Sequence, residues 1–492
     1  MTAIFRPPVC GPGAVYLPPY APFFLRHYDV IKVAEVEPQP LWVKPVDAPP
    51  HGSDLHLARL REMPQSFLLH GIGAPLGGVN DAADDQIPEF RRWLDILGVK
   101  WTSEHMSLLA VESGTTTRNI GFLMPPLQTD EVVLQAARTI KRRAERLGRP
   151  IAFETGVNYF GPRTGEMEDG DFWRAIAHEA NCGILLDITN LWVNERNGRA
   201  SVADTLAKLP LDRVWEIHLA GAEFLNGMWL DAHSGAINPD VIALATEITG
   251  SLPNLSAIIF EVASSHFPRL GETGFMQQME TVNRLWEARR EPLPTVGQAK
   301  PVAMPIRDRQ PLNFTARSWE AYIGDQLLTG TARPQADIST EQVSTEDQRS
   351  FAVYAHLIRA FRRGVIAELF ENATRLLFMA VGVDAATSFI DDYLDNEPAH
   401  FFASDEARHF AAYVRENDPH ILGYTDCTKF EAALIESVAE QGPVTVELSC
   451  DIERLLTAIA EQRLPDRSTI ERHMMIEVSA GANPKVVELE TA

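Results

Sequence analysis

Nine residues of metal-binding type punctuate the sequence between positions 70 and 261: His70, His105, Glu154, Asp187, Asn190, His218, Asp231, His233 and Glu261. Most of them close a short apolar run, in LLHG, TSEH, AFE, LLDITN, EIHLAG and IIFE, and DAHSG follows EIHLAG closely. Taken singly, each has an ordinary explanation. A His or Glu ending an apolar strand is most often a hydrogen-bonded structural group. Asn190 also suits a turn cap, and Glu104, beside His105, would point to the opposite side of a strand. Taken together they conflict with a plain core, because carboxylates gathered in a water-poor site repel one another and bare ones would have to protonate. Cations resolve that conflict. Nitrogen and carboxylate ligands in comparable number, without cysteine, suit iron or manganese better than structural zinc, and suit more than one ion. Zinc or manganese hydrolases use similar mixtures, so ligand type leaves the reaction open.

The elements that must position these residues are legible in the same stretch. From about residue 13 to 290, the runs GAVYLP, VIKVAEV, SFLLHG, VKWTSEH, IAFETG, GILLDITN, VWEIHLAG and AIIFEVA alternate with amphipathic stretches such as DEVVLQAARTIKRRAERLG. Eight such runs, each with room for a crossover, predict a (β/α)8 TIM barrel within an α/β fold. Nearly continuous apolar strands suit a parallel sheet covered on both faces. A doubly wound open sheet is the competing topology, but no Gly-rich phosphate loop follows the first run. In a barrel, the carboxyl ends of the strands converge on one face, where active sites are found.

Residues 291–312 carry five prolines and little periodicity, which predicts a linker. Beyond it, residues 313–492 read as a mainly helical second domain, with short β-like runs around one helix after Gly442. Two domains suit a chain of 492 residues. The formal charge of −23 argues against non-specific nucleic-acid binding. The four cysteines lie far apart without metal-motif spacing, as in a cytosolic protein with free thiols. The start, MTAIFRPPVCGPGA, has no signal-peptide pattern, and no run approaches the ~20 apolar residues needed to span a bilayer. A cytoplasmic protein without a membrane partner is the expectation. His178, His266 and the histidines of the carboxyl half fall outside the pattern and are expected to be structural.

HGIGAPLGG, SEHMS, FETGVNY, CGILLDITNLWVN, EIHLAG, DAHSG and IIFEV occur in this order. Over about residues 15–290 the sequence thereby resembles the multinuclear non-haem iron-dependent oxidative enzymes, the family of the methanobactin-biosynthesis oxygenase. That resemblance implies a TIM barrel holding two or three irons in mixed Fe(II)/Fe(III) states, with O2 as co-substrate. It also implies modification of a ribosomally made precursor peptide, often at cysteine. Carried over by motif, the implied iron ligands are the nine residues named above, with His218, Asp231 and Glu261 as catalytic candidates. Gln39-Pro40, Thr155 and Ala263 depart from the Glu-Asn, Asn and acidic residues common in that family.

The carboxyl half, from FAVYAHLIRAFRR to FAAYVREN, resembles a helical family labelled as DNA-binding and often encoded beside these oxidases as a separate partner. Such partners are associated with presenting the precursor peptide, although a helical domain used only for dimerisation fits the same pattern. The acidic chain gives DNA binding no electrostatic support. Two other readings stand beside the peptide oxidase. One is a divalent-metal isomerase or endonuclease-like hydrolase on the same barrel. The other is a metal-storage or scaffold protein.

Overall fold

The structure, a computed structural model, describes residues 5–79, 84–113, 116–289, 312–329, 338, 345–479, 481 and 485–487. The expected linker therefore lies outside the described residues, apart from Leu312. The described chain forms two compact units. One takes Met1–Pro38, Asp54–Thr116 and Leu123–Phe351, and the other takes Gln39–Ser53, Thr117–Phe122 and Ala352–Ala492.

The first unit is built on a closed barrel of eight parallel strands. In chain order they are β1 (Gly11–Val15), β2 (Val33–Val36), β3 (Ser66–Gly71), β4 (Thr102–His105), β5 (Ile151–Glu154), β6 (Gly183–Asp187), β7 (Val214–Ala220) and β8 (Ala257–Glu261). Each coincides with one of the eight apolar runs. Neighbours in sequence are neighbours in the barrel, and β8 closes onto β1, which is the TIM arrangement. Helices follow the strands. In Asp130–Leu147, Thr129 accepts from the Val132 N–H and Gly148 terminates the helix at φ 67°, as left-handed C-terminal residues commonly do.

One end of the barrel interior is apolar. Val33, Leu68, Trp101, Ala152, Trp215, Ala257 and Ile259 form a buried cluster with Phe5 packed against it. Trp215 is skipped in the pairing of β6 with β7, where Ile184 opposes Val214 but Leu185 opposes Glu216. This bulge turns the indole inward. It fits because residue 183 is glycine: a Cβ there would lie 2.2 Å from the ring. Past the bulge, Glu216 and His218 lie two residues apart on one strand, so both face the interior above this plug.

Residues after the barrel also belong to the first unit. Trp319, on the helix Ala316–Thr329, packs edge-on against Phe160 at 5.5 Å and tilted against Phe351 at 6.4 Å. Both oxygens of Glu320 accept from the Val79 N–H, at 3.0 and 3.2 Å, and burial pushes this carboxyl up to about 8.

The second unit is mainly helical. Glu371–Val381, Val383–Asn396, Ala403–Glu416 and Tyr424–Ala439 enclose a core that includes Phe370, Leu377, Tyr393, Phe410 and Tyr424. An antiparallel sheet of β9 (Val444–Cys450), β10 (Glu471–Val478) and β11 (Lys485–Val487) follows, with the helix Ile452–Ala460 between its first two strands. Buried Arg362 is held by Glu406 at 3.1 Å and by the carbonyls of Leu394 and Glu397. No described helix is long and apolar enough to cross a membrane.

Candidate metal centre

Eight of the nine expected ligands form one connected set at the carboxyl ends of β3 to β8 and in the loop after β7. Strand register does the placing: His105 opposes Glu154, Asp187 opposes His218, and Ala220 opposes Glu261. Three triplets each offer ligand atoms within 4.8 Å of one another: His70, His105 and Glu154; Glu154, Asp187 and His218; Glu35, His218 and Glu261. Glu154 joins the first to the second, and His218 joins the second to the third. His233 extends the set, with Nε2 at 3.2 Å from Asp231 and 3.4 Å from Glu261.

The ninth, Asn190, plays two parts. Its backbone N–H donates to Asp187 Oδ1 at 2.8 Å, so Asp187 caps the helix Ile188–Arg196. Its side-chain amide donates to the Thr155 carbonyl at 3.3 Å and approaches Glu154 at 3.5 Å, leaving Oδ1 without a hydrogen bond. Thr155, at the position where the resembled family carries asparagine, accepts from the Asp187 N–H at 3.0 Å.

Two imidazoles are tied to the barrel wall by one nitrogen. His70 Nδ1 lies 2.8 Å from Ser103 Oγ, and His105 Nδ1 lies 3.0 Å from the Gly71 carbonyl. Because a carbonyl only accepts, the His105 proton sits on Nδ1 and Nε2 is free in the neutral ring. Both Nε2 atoms then converge on Glu154 Oε2, at 3.1 and 3.0 Å. His233 adopts left-handed backbone at φ 47°, and its carbonyl accepts from the Ala263 N–H at 3.1 Å. Strained loop geometry of this kind is concentrated at functional sites. Asp231 donates its N–H to the Tyr159 hydroxyl at 3.1 Å.

Glu104 stays outside the set: it accepts from the Ala74 and His105 backbone N–H groups. Three acidic residues lie near the set without closing an apolar run in the sequence. Glu35 and Glu216 are fully buried in the interior beneath His218. Glu37, just past β2, has the charges of His70, Glu261, His105 and His233 around it. Glu216 is two residues before His218, and that period-2 spacing was the available signal. A separate group, Glu397, His400 and His409, lies partly exposed in the second unit.

The electrostatics are those of buried carboxylates and imidazoles that oppose one another. Burial raises the Asp187 carboxyl well above the usual range, and Asp231, Glu154 and Glu261 push it further. Burial opposes charge on His105, His218 and His233, yet the facing carboxylates outweigh it and hold all three well above the usual histidine value. Glu154 is pulled well below its usual value by His105 and His70 against its burial, and Glu261 falls to about 2 beside His218 and His233. Glu154 Oε2, Asp187 Oδ2, Asn190 Oδ1, Asp231 Oδ1 and both ring nitrogens of His218 are buried without a hydrogen bond. Several lie within ion-pair distance of a neighbour but are ill-aligned to bond with it. Buried polar atoms rarely stay unsatisfied, so the residues fit a metal cluster.

A pH dependence follows. Ligands must shed protons before they bind a metal, and these histidines and Asp187 hold theirs unusually tightly. Metal uptake at pH 7 is expected to release more than one proton per chain, and affinity to fall as the pH falls. Calorimetry in buffers of different ionisation enthalpy measures this; zero release would contradict the protonation pattern.

A UPF0276 protein of Chromobacterium violaceum is 30% identical over 250 residues, covering 50% of this chain and 85% of that protein. One from Anaeromyxobacter sp. is 28% identical over 239 residues, covering 48% and 82%. Among solved structures, D-allulose 3-epimerase from Methylomonas sp. aligns at 14% identity and a TM-score of 0.38, covering 58% of this chain and 98% of the epimerase. The family model for RiPP precursor modification enzymes of the MbnB/TglH/ChrH type matches residues 29–286, and the chain belongs to that family.

Proposed function

We propose that the barrel is an iron- and O2-dependent enzyme that oxidises a ribosomally made precursor peptide, with cysteine as the first side chain to test. The observation that carries this reading is the connected donor set at the strand ends, where four buried oxygens and both His218 nitrogens lack hydrogen bonds. Imidazoles and carboxylates in equal number, plus one amide, exceed what one ion can take, since an ion needs at most about six ligands. His70, His105, Glu154, Asp187, Asn190, His218, Asp231, His233 and Glu261 would hold two or three irons. Bound iron would supply one-electron redox chemistry and Lewis acidity, which side chains lack.

The chain's own residues prepare the site. Ser103 and the Gly71 carbonyl fix the rings of His70 and His105, so their donor nitrogens need no rearrangement. The apolar plug around Trp101 and Trp215 closes one end of the interior, so substrate must enter from the strand carboxyl ends. There His233 is the most open of the set, with its side chain 33% exposed and Asp231 at 16%. These two are placed to meet an incoming peptide side chain.

The second unit is proposed to present the peptide, a role suggested by its sequence resemblance to the separate partner proteins. Oxygen uptake tests the reading: anaerobically iron-loaded protein should consume O2 only when its precursor peptide is present, and zinc-loaded protein should not. Peptide turnover by the zinc form without oxygen uptake would favour a hydrolase or isomerase instead.

A further inference from the structure

The anchoring of His218 differs from that of His70 and His105. His70 and His105 turn Nδ1 to the barrel wall and Nε2 to Glu154. His218 is reversed. Its Nδ1 lies 3.2 Å from Glu261 Oε1 in the ligand set, and its Nε2 lies 2.9 Å from Glu35 Oε1. Glu35 sits in the middle of β2, opposite Leu68 of β3, and is fully buried. Neither its oxygens nor His218 Nε2 is aligned for a regular hydrogen bond, yet the two groups face each other, His218 is the one ion-pair partner of Glu35 among the described residues, and Glu216 also lies beside it. Glu216, on the same strand as His218, stands further off at 4.0 Å from Nε2.

We infer that Glu35 is a positioning residue: it holds the Nε2–H of His218 and so makes Nδ1 the nitrogen offered to the metal cluster. An imidazole can give one nitrogen to a metal only if the other carries the proton, and the partner of that proton sets which is which. Serine and a backbone carbonyl serve His70 and His105; a buried carboxylate serves His218. The choice has a physical consequence. A carboxylate partner makes the ring more basic and a stronger donor than a hydroxyl or amide partner does. It also explains an acidic side chain inside the barrel, since an unpaired buried carboxylate is costly.

This inference rests on the cluster proposed above, and the test separates the two. Zinc-loaded protein labelled with 15N-histidine should show His218, identified by its absence in His218→Asn, protonated at Nε2 and metal-bound through Nδ1. Fe2+ affinity, measured anaerobically, should fall about 10-fold in Glu35→Gln, whose carbonyl can still accept, and toward 100-fold in Glu35→Leu, with the number of metals at saturation unchanged. If Glu35→Leu does not fold, Glu35→Gln and the spectrum of the unsubstituted protein carry the test. Wild-type affinity in Glu35→Gln together with metal binding through Nε2 would overturn the inference alone. Loss of one metal with the others unaffected would overturn it too, by making Glu35 a ligand. An unsubstituted chain that binds neither Fe2+ nor Zn2+ would overturn the cluster itself, and the inference with it.

Discussion

Replacing His218 by alanine is expected to lower turnover by more than about 100-fold, the upper end of what loss of a mere supporting residue costs. His218 belongs to two of the three ligand triplets, so its loss separates the His70, His105 and Glu154 end from the Glu261 end. Metal content should fall with activity. The apolar neighbours on β7, Ile217 and Leu219, are fully buried and keep the strand in place. Stability should nevertheless drop, because Glu35 loses its partner inside the barrel and removing one member of a buried pair is costly. Circular dichroism would establish that the variant folds. Wild-type turnover by a folded, metal-poor His218→Ala protein would remove His218 from the centre.

The second large effect concerns the carboxyl-terminal unit. A chain shortened to residues 1–351 keeps every candidate ligand and also Trp319 and Phe351, which pack on the barrel unit's Phe160. Its metal content should match that of the full chain, which also serves as the control for folding. If the second unit captures the peptide, KM should rise by 10-fold or more while kcat at saturating peptide changes little. Tethering a capture module raises the local peptide concentration, to the order of millimolar for a short flexible connection, and leaves the chemical step alone. Unchanged kcat/KM in the shortened chain would show that the second unit does not deliver substrate.

How much could be read from the sequence follows from periodicity. All eight barrel strands coincide with apolar runs, because a parallel strand covered on both faces must be apolar throughout. A polar residue ending such a run is therefore conspicuous, and His70, Glu154, Asp187 and Glu261 were visible for that reason. Glu35 was not. It sits inside VIKVAEV, where one acidic residue reads as ordinary alternation, and only the closed barrel carries it to His218, far along the chain. Glu216 was visible in EIHLAG but was overshadowed by its histidine. Glu37 follows its strand, and its place depends on how the chain leaves β2. The grouping of residues 316–351 with the barrel depends on contacts between aromatic residues far apart in sequence, such as Phe160 with Trp319, which no local pattern encodes.

The proposed function depends on a cluster of iron ions at the carboxyl ends of the barrel strands. Elemental analysis of full-length protein, loaded anaerobically with Fe2+ and freed of loosely bound metal, tests it most directly. The donor set predicts two or three irons per chain. One metal per chain, or zinc alone retained when both metals are offered, would contradict it.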